Sequence, residues 1–153
     1  MTSQHACPSS SVRRLAVSTA ILLLVGAVSC SETREERYPT YGDAVASGAL
    51  RRKVLPPFVV DSASDLVFLY DLDTSGVRAK FRIPPSQSSQ MVAQLRAVPE
   101  TPPLPRSTRP GLPKWWPHEW EGVEFFEYAG DIHWYVAIEP QSGVTYAWTR
   151  DAS

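Results

Sequence analysis

Residues 77–83 carry the most regular alternation of hydrophobic and polar positions in the chain. Apolar side chains at every second position alternate there with three cations, Arg78, Lys80 and Arg82. This pattern predicts a strand that is buried on one side only. Residues 66–72 are apolar on both sides and predict a more interior strand. Residues 73–76 between them have turn chemistry, so the two segments predict a hairpin with Leu72 opposite Val77.

The C-terminal third of the chain predicts an antiparallel meander. Residues 123–128, 132–139 and 144–148 are rich in aromatic and β-branched side chains and are separated by two short turn segments, as expected of consecutive strands. Pairing Ile138 with Val144 would place Trp134 and Trp148 on one face of the sheet.

Two short helices are predicted between these strands and before them. Thr40, followed three residues later by Asp43, has the spacing of a capping box, and the helix is expected to run from Tyr41 to about Lys53. A second helix is predicted over residues 86–97. Residues 98–117 contain seven prolines and predict an extended covering loop.

Together these segments predict the α+β class. We expect about five antiparallel strands with two short helices on one face, in a single domain that spans residues 38–153.

The N-terminal residues differ in pattern from this domain. Arg13 and Arg14 precede a run of fourteen apolar or small residues, 15–28, which is the length of a signal-peptide core. A membrane-spanning helix needs roughly 20 such residues. Residues 1–29 are therefore interpreted as a secretion signal.

The residues that end this signal, Ala27-Val28-Ser29-Cys30, resemble the lipobox of bacterial lipoproteins, although Ala27 replaces the more usual leucine. The resemblance implies that diacylglycerol is attached to Cys30 and that the signal is removed before it. The alternative is an ordinary secretory signal that the peptidase for soluble proteins cuts near Ala27-Val28-Ser29. Cys7 would leave with the signal, so Cys30 would have no disulfide partner. A lipid-capped sulfur is inert where a lone exposed thiol would not be.

The lipoprotein interpretation also predicts the location of the protein. Ser31 follows the cysteine, and a residue other than aspartate there implies, by the same resemblance, the outer membrane facing the periplasm. Residues 30–37 are polar and are expected to form a tether between the lipid and the domain.

Charge restricts the range of partners. The chain has 15 Lys+Arg and 16 Asp+Glu, and removal of the signal would leave 13 against 16. This balance argues against nucleic acid. The expected contacts are the membrane, through the anchor at Cys30, and an envelope glycan or protein. No cofactor is predicted.

Two sequence features resemble parts of a metal site or a catalytic site, but both matches are weak. Residues 71–76 fit the first half of a calcium loop, but Arg82 stands where such a loop needs a bidentate acid, so a hairpin turn is favoured. His118 and His133 belong to no zinc or nucleophile motif. A small envelope hydrolase that pairs one of them with a carboxylate is kept as the alternative to a non-enzymatic binding or scaffolding protein.

Two groups of residues remain as candidate binding surfaces. Arg78, Lys80 and Arg82 form a basic row that could contact an anion or remain solvated. The candidate binding residues of the aromatic segment are Trp115, Trp116, His118 and Trp120. They would either form a platform for a sugar or peptide, with one tryptophan largely exposed, or cap the sheet.

Several short motifs resemble a family of small bacterial lipoproteins described as YbbD-like. They include Tyr38-Pro39-Thr40, Pro56-Pro57-Phe58, Asp71-Leu72-Asp73-Thr74 and, later, Trp115-Trp116-Pro117 and Gly143-Val144-Thr145. The resemblance supports the domain prediction and implies no catalytic residue.

Overall fold

The computed structural model of the protein describes residues 33–72, 76–105 and 112–149. The predicted signal and Cys30 lie outside these residues. The described chain contains seven strands, which form one antiparallel sheet in the order β1-β2-β3-β7-β6-β5-β4. The strands are β1 (Thr33–Thr40), β2 (Ser64–Asp71), β3 (Val77–Arg82), β4 (Arg96–Ala97), β5 (Glu124–Ala129), β6 (His133–Ile138) and β7 (Val144–Thr149).

The sheet is larger than the predicted five strands because each edge carries a strand that lacks an apolar pattern. β1 pairs with β2 along its whole length, from Thr33 opposite Asp71 to Thr40 opposite Ser64. The prediction that residues 30–37 form a tether is therefore wrong for residues 33–37. An edge strand can be polar because its backbone supplies the pairing, and charged side chains protect an edge from aggregation.

The first helix is shorter than predicted. α1 (Tyr41–Ala46) begins with the predicted capping box, in which the Asp43 N–H donates to Thr40 Oγ1 and the Thr40 N–H donates to the Asp43 carboxylate. It ends because Gly48 adopts a φ of +84°. The Ala49 N–H then donates to the Ala44 carbonyl, as in a Schellman motif.

The second helix is also short. A single 3₁₀ turn, Pro85–Gln87, leads into α2 (Ser88–Val92). The prediction of a helix over residues 86–97 is wrong at its C-terminal end, where Arg96 and Ala97 form β4 against β5. Ala44 of α1 and Met91 of α2 are buried in the same core, so both helices cover one face of the sheet, as predicted.

The alternation in β3 separates the two faces of the sheet. The first face carries Val77, Ala79 and Phe81. Residues 44–63 pack against this face and form with it a core of mainly aliphatic and phenylalanine side chains. The second face carries Arg78, Lys80 and Arg82, and further along the sheet Tyr146 and Trp148 of β7. The predicted faces of β2 and β3 are confirmed.

The register within the β2–β3 hairpin differs from the prediction by two residues. Tyr70, not Leu72, lies opposite Val77. A shift of two keeps every side chain on its predicted face, because side chains alternate with a period of two.

The β6–β7 hairpin differs by one residue, which reverses the faces of one strand relative to the other. Ile138 pairs with Thr145 rather than with Val144, and Trp134 pairs with Thr149 rather than with Trp148. The cause is the connection. Gly143 has a φ of +69°, its N–H donates to the Glu139 carbonyl, and the Glu139 N–H donates to the Val144 carbonyl. Gly143 and Val144 thus oppose the single residue Glu139, as in a glycine bulge.

No helix in the described part of the chain is long and apolar enough to cross a membrane.

Candidate ligand-binding cleft on the second face

A cluster of aromatic rings covers the second face over β5, β6 and β7. Trp116 is at its centre and is only 3% exposed. The ring centroids of four neighbours lie 5.6 to 5.8 Å from that of Trp116, in edge-to-face geometry, and belong to Trp115, Trp120, Tyr146 and Trp148. Pairs of this kind stabilise a core beyond the area that they bury. We call this group the indole cluster.

The proline-rich segment holds the indole cluster in place. The Trp148 indole N–H donates to the Pro103 carbonyl over 2.9 Å, so the segment passes across β7 as the predicted covering loop. The Trp116 backbone N–H donates to the Pro113 carbonyl, also over 2.9 Å. This turn directs Trp116 toward the sheet and leaves its neighbour Trp115 at the margin of the cluster.

A cleft opens beside Trp115, over β1, β2 and β3, where the indole cluster ends. Its volume is about 210 Å³, and its main lining residues are Arg37, Asp65, Val67, Lys80, Arg82 and Trp115. The strand register brings these residues together, because Arg37, Val67 and Lys80 lie side by side on adjacent strands. Two of the three predicted cations of β3 therefore share this basic cleft with a cation of β1.

Glu35 orients two walls of the basic cleft. Its carboxylate accepts a hydrogen bond from the Trp115 indole over 3.1 Å and hydrogen bonds from the Arg37 guanidinium over 2.6 and 2.9 Å. Glu35 and Arg37 are 36% and 64% exposed, so this ion pair contributes little to stability. Its effect is to fix the indole against the strand.

The other two cations are held less tightly. Lys80 Nζ lies 5.8 Å from the centroid of the Tyr146 ring, within the range of a cation–π contact. Arg82 Nη1 donates to the Ser142 carbonyl over 3.0 Å, and Arg82 Nε lies 3.7 Å from Asp65. Both partners of the Asp65 contact are more than half exposed, so water and salt weaken it.

Tyr146 forms an apolar base for Lys80. Burial is the main cause that raises the pKa of its phenol, and the nearby carboxylate of Glu139 raises it further. The ring therefore stays neutral and presents its face to Lys80. An ammonium, two guanidinium groups and an indole in one cleft suit an anionic group carried on a ring.

Of the four predicted binding residues, only Trp115 lines the basic cleft. Trp116 is buried in the indole cluster, and Trp120 is partly buried against Trp148 and Phe125. His118 is exposed and does not line the basic cleft. None of the three tryptophans is largely exposed, which is the arrangement expected of a cap rather than of an open platform.

The hydrolase alternative required a histidine beside a carboxylate in a cleft. His133 Nε2 does lie 3.2 Å from Glu127 Oε2, and Arg96 also pairs with Glu127. The His133 side chain is 44% exposed, however, and neither it nor His118 lines the basic cleft. The contact links β4, β5 and β6 at the sheet edge.

Sequence reasoning missed Arg37 and Asp65. Arg37 was missed because the polar sequence of residues 33–37 predicts a tether and not a strand. Residues 33–37 contain no apolar side chain, so no alternation of apolar and polar positions marks them as a strand. Asp65 has a φ of +51° beside the irregular register between Ser64 and Val67, which the sequence does not reveal.

A second polar cluster, on the first face, was also missed. Glu36 accepts hydrogen bonds from Tyr38, Tyr70 and Arg52 over 2.6, 2.8 and 2.7 Å. Burial opposes ionisation of Glu36, but these hydrogen bonds and the charge of Arg52 outweigh it, so the pKa of Glu36 is lowered. Burial and the Glu36 carboxylate raise the pKa of Tyr70. The cluster joins β1 and β2 to the segment after α1.

Within the described residues, no group of three or more His, Cys, Asp or Glu side chains is placed to hold a metal ion. Residues 73–75 of the calcium-like loop lie outside them.

Part of the chain matches a known protein family. No curated protein and no solved structure matches the chain significantly. Residues 32–82 match the YbbD head domain. The match contains β1, α1, β2 and β3, and with them Arg37, Lys80 and Arg82 of the basic cleft. Trp115 and the indole cluster lie outside it. The YbbD-like resemblance seen in the sequence is confirmed over residues 32–82, which are similar to a YbbD head domain.

Proposed function

We propose that the protein is a lipid-anchored, non-enzymatic binding domain of the bacterial cell envelope and that its basic cleft binds an anionic glycan. The observation that carries the proposal is the convergence of Arg37, Lys80 and Arg82 beside the indole of Trp115. Guanidinium groups recognise phosphate and carboxylate in two-point fashion. An indole face packs against the apolar face of a sugar ring.

The proposed anchor is Cys30, and the proposed location is the outer membrane facing the periplasm. The support is the signal-like pattern of residues 1–29 and the lipobox resemblance that ends it. Two or three acyl chains, at about 0.8 kcal/mol per buried methylene, make such an anchor effectively permanent. Anchoring would keep the domain beside the glycans of the envelope.

The cleft is tested with purified lipopolysaccharide, a phosphate-bearing glycan, and with neutral dextran as the uncharged comparison. Removing two cations of the cleft in K80A/R82A should weaken binding of lipopolysaccharide at least tenfold, since a contact with a charged group is worth about 1.5–3 kcal/mol. The matched control is K114A/R51A, which removes the same charges from exposed positions that do not line the cleft. Equal losses in the two double variants would show that binding follows total charge and not the cleft.

The anchor has a separate test. Metabolic labelling with an alkyne fatty acid should mark the wild-type protein and not Cys30→Ala, whose precursor should stay uncleaved at the inner membrane. Equal labelling of the two proteins would contradict the lipobox interpretation.

A further inference from the structure

A groove lies on the first-face side of the protein, away from the basic cleft. It consists of two adjoining clefts with volumes of about 340 and 360 Å³. Both clefts are lined by Lys53 and Ile132, and we call the pair the Lys53 groove. Each volume is near the lower end of the roughly 300–1,000 Å³ typical of small-molecule sites.

Lys53 has an unfavourable backbone conformation in this groove. Its φ is +61°. The Val54 N–H donates to the Ala49 carbonyl and the Lys53 N–H to the Leu50 carbonyl, which are the two bonds of a Schellman motif. The left-handed position of that motif is normally glycine. The chain does place Gly48 at the equivalent position one turn earlier. A lysine thus stands where glycine is favoured, and backbone strain of this kind is concentrated at functional sites.

The groove has a paired charge pattern. Lys53 and Asp131 line the first cleft together with apolar residues that include Leu55, Pro57 and Trp134. Arg52 and Asp71 line the second cleft, where the Arg52 guanidinium also binds Glu36. Cations and carboxylates are balanced across the two clefts. Such a groove suits a ligand that carries both charges next to an apolar portion.

Two exposed leucines border the groove. Leu50 of the first cleft is 44% exposed and Leu72 of the second is 50% exposed. Large apolar side chains that flank a polar site are typical of surfaces that rest on lipid.

The groove is close to the proposed anchor along the chain. Thr33, the first residue of β1, pairs with Asp71, which lines the groove. Cys30 precedes Thr33 by three residues, and three residues of extended chain span at most about 10 Å. A lipid on Cys30 would therefore hold this end of the sheet at the membrane surface.

We propose that the Lys53 groove binds the headgroup of a zwitterionic phospholipid that carries a phosphate and a primary ammonium. Lys53 binds the phosphate, Asp131 binds the ammonium, and Leu50 and Leu72 contact the hydrocarbon. The occupant is assigned from the charge pair, the exposed leucines and the short chain to Cys30. The inference rests on the proposed anchoring for its membrane proximity, and it assigns the domain an orientation in which the basic cleft remains free.

The test places a photoreactive residue, p-benzoyl-phenylalanine, in the full chain at Leu50 or, as a matched control, at Leu104. Leu104 is 41% exposed and follows Pro103 at the indole cluster. Each protein is purified from membranes, reconstituted into vesicles of phosphatidylethanolamine and phosphatidylglycerol, and irradiated. Mass spectrometry then identifies the attached lipid. We expect adducts at Leu50 to exceed those at Leu104 at least fivefold and to be mainly phosphatidylethanolamine.

Two variants identify the charges. In the Leu50-labelled protein, Lys53→Gly or Asp131→Asn should lower the phosphatidylethanolamine adduct about fivefold, as expected for the loss of one charged contact at a membrane surface. Lys114→Gly, the same change at an exposed position that does not line the groove, should leave it unchanged. Lys53→Gly should not lower the melting temperature, so misfolding would not explain its loss.

Other outcomes would overturn the inference. Equal adducts at Leu50 and Leu104, adducts that ignore Lys53 and Asp131, or a preference for phosphatidylglycerol would each contradict the proposed headgroup site. Labelling of Cys30 with the alkyne fatty acid is measured separately on the same protein. Labelling with no preferred adduct at Leu50 rejects the groove and keeps the anchor. Absence of labelling with a preferred adduct rejects the anchor and keeps the groove.

Discussion

The two faces of the sheet are covered in different ways. On the first face, residues 44–63 and α2 supply many medium-sized side chains, among them Phe58, Leu55 and Met91, and the cover is spread over two segments of the chain. On the second face, a single irregular segment supplies indole rings. Trp116 and Trp120 each contact four other rings, and Trp116 is the more deeply buried of the two.

This difference explains where the basic cleft forms. A few large rings on a short segment of chain can cover part of a sheet, but the sheet surface beyond the rings stays open. The indole cluster ends at Trp115, and the second face of β1, β2 and β3 beyond it carries Arg37, Lys80 and Arg82. The first face of β1 and β2 is not left open in this way. The segment after α1 continues over it and joins β1 through the hydrogen bond from Arg52 to Glu36.

The comparison predicts that the buried ring of the indole cluster contributes more to stability than the ring at its margin. Trp116→Ala should lower the free energy of unfolding by about 5 kcal/mol, the upper end for a buried aromatic truncation, because four ring contacts are lost with it. Trp115→Ala, at the margin, should cost about 1–2 kcal/mol. Urea unfolding measures both. Comparable losses of unfolding free energy at the two positions would mean that the buried ring contributes no more than the ring at the margin.

Stability on the first face should follow the alternation in β3. Phe81→Ala should cost about 3–5 kcal/mol, because Phe81 is 1% exposed in the first-face core. Lys80→Ala, one residue away on the other face, should cost under about 0.5 kcal/mol. Similar losses from these neighbours would contradict the assignment of faces.

The same alternation shows how far the sequence determines the fold. β2 and β3 were predicted on the correct faces because an error of two residues in register changes no face. The β6–β7 pairing was predicted one residue off, and its faces were wrong, because a bulge at Gly143 depends on one backbone torsion. Hydrophobic pattern alone does not encode that torsion. Gly143 lies against β3, where the Ile83 N–H donates to its carbonyl over 2.9 Å.

The candidate site was only partly predictable for a related reason. Lys80 and Arg82 follow from alternation, and Trp115 from the density of tryptophan. Arg37 does not, because β1 is an edge strand whose polar sequence resembles a tether. The division of roles between Trp115 and Trp116 depends on the turn that begins at Pro113, which is a tertiary feature.

The polar cluster of the first face predicts a pH dependence. Glu36→Gln should lower the free energy of unfolding at pH 7 by about 1 kcal/mol, because a partly exposed charged acceptor loses part of its hydrogen bonding. The pKa of Glu36 is lowered in the folded state. Its contribution is therefore present above its unfolded pKa, about 4.3, and is lost as the pH falls through the folded pKa.

Unfolding of the Glu36→Gln variant and the wild type should be compared at pH 7 and near pH 3, where the difference should shrink. Glu124→Gln, a change at an exposed position on β5, is the control and should cost under about 0.5 kcal/mol. A difference that stays constant with pH would mean that the cluster acts through packing and not through charge.

The smallest expected effect concerns Lys53 and has the opposite sign. A left-handed conformation costs an L-residue roughly 1–2 kcal/mol, whereas glycine loses about 0.5–1 kcal/mol through its greater unfolded freedom. Lys53→Gly should therefore stabilise the protein by about 0.5 kcal/mol. Lys53→Ala keeps the strained backbone and should give no gain. Gly48→Ala at the equivalent position, where φ is +84°, should destabilise. Thermal unfolding of the three variants measures this order. If Lys53→Gly is destabilising, the lysine side chain supports the fold through contacts of its own, and its backbone conformation needs no functional explanation.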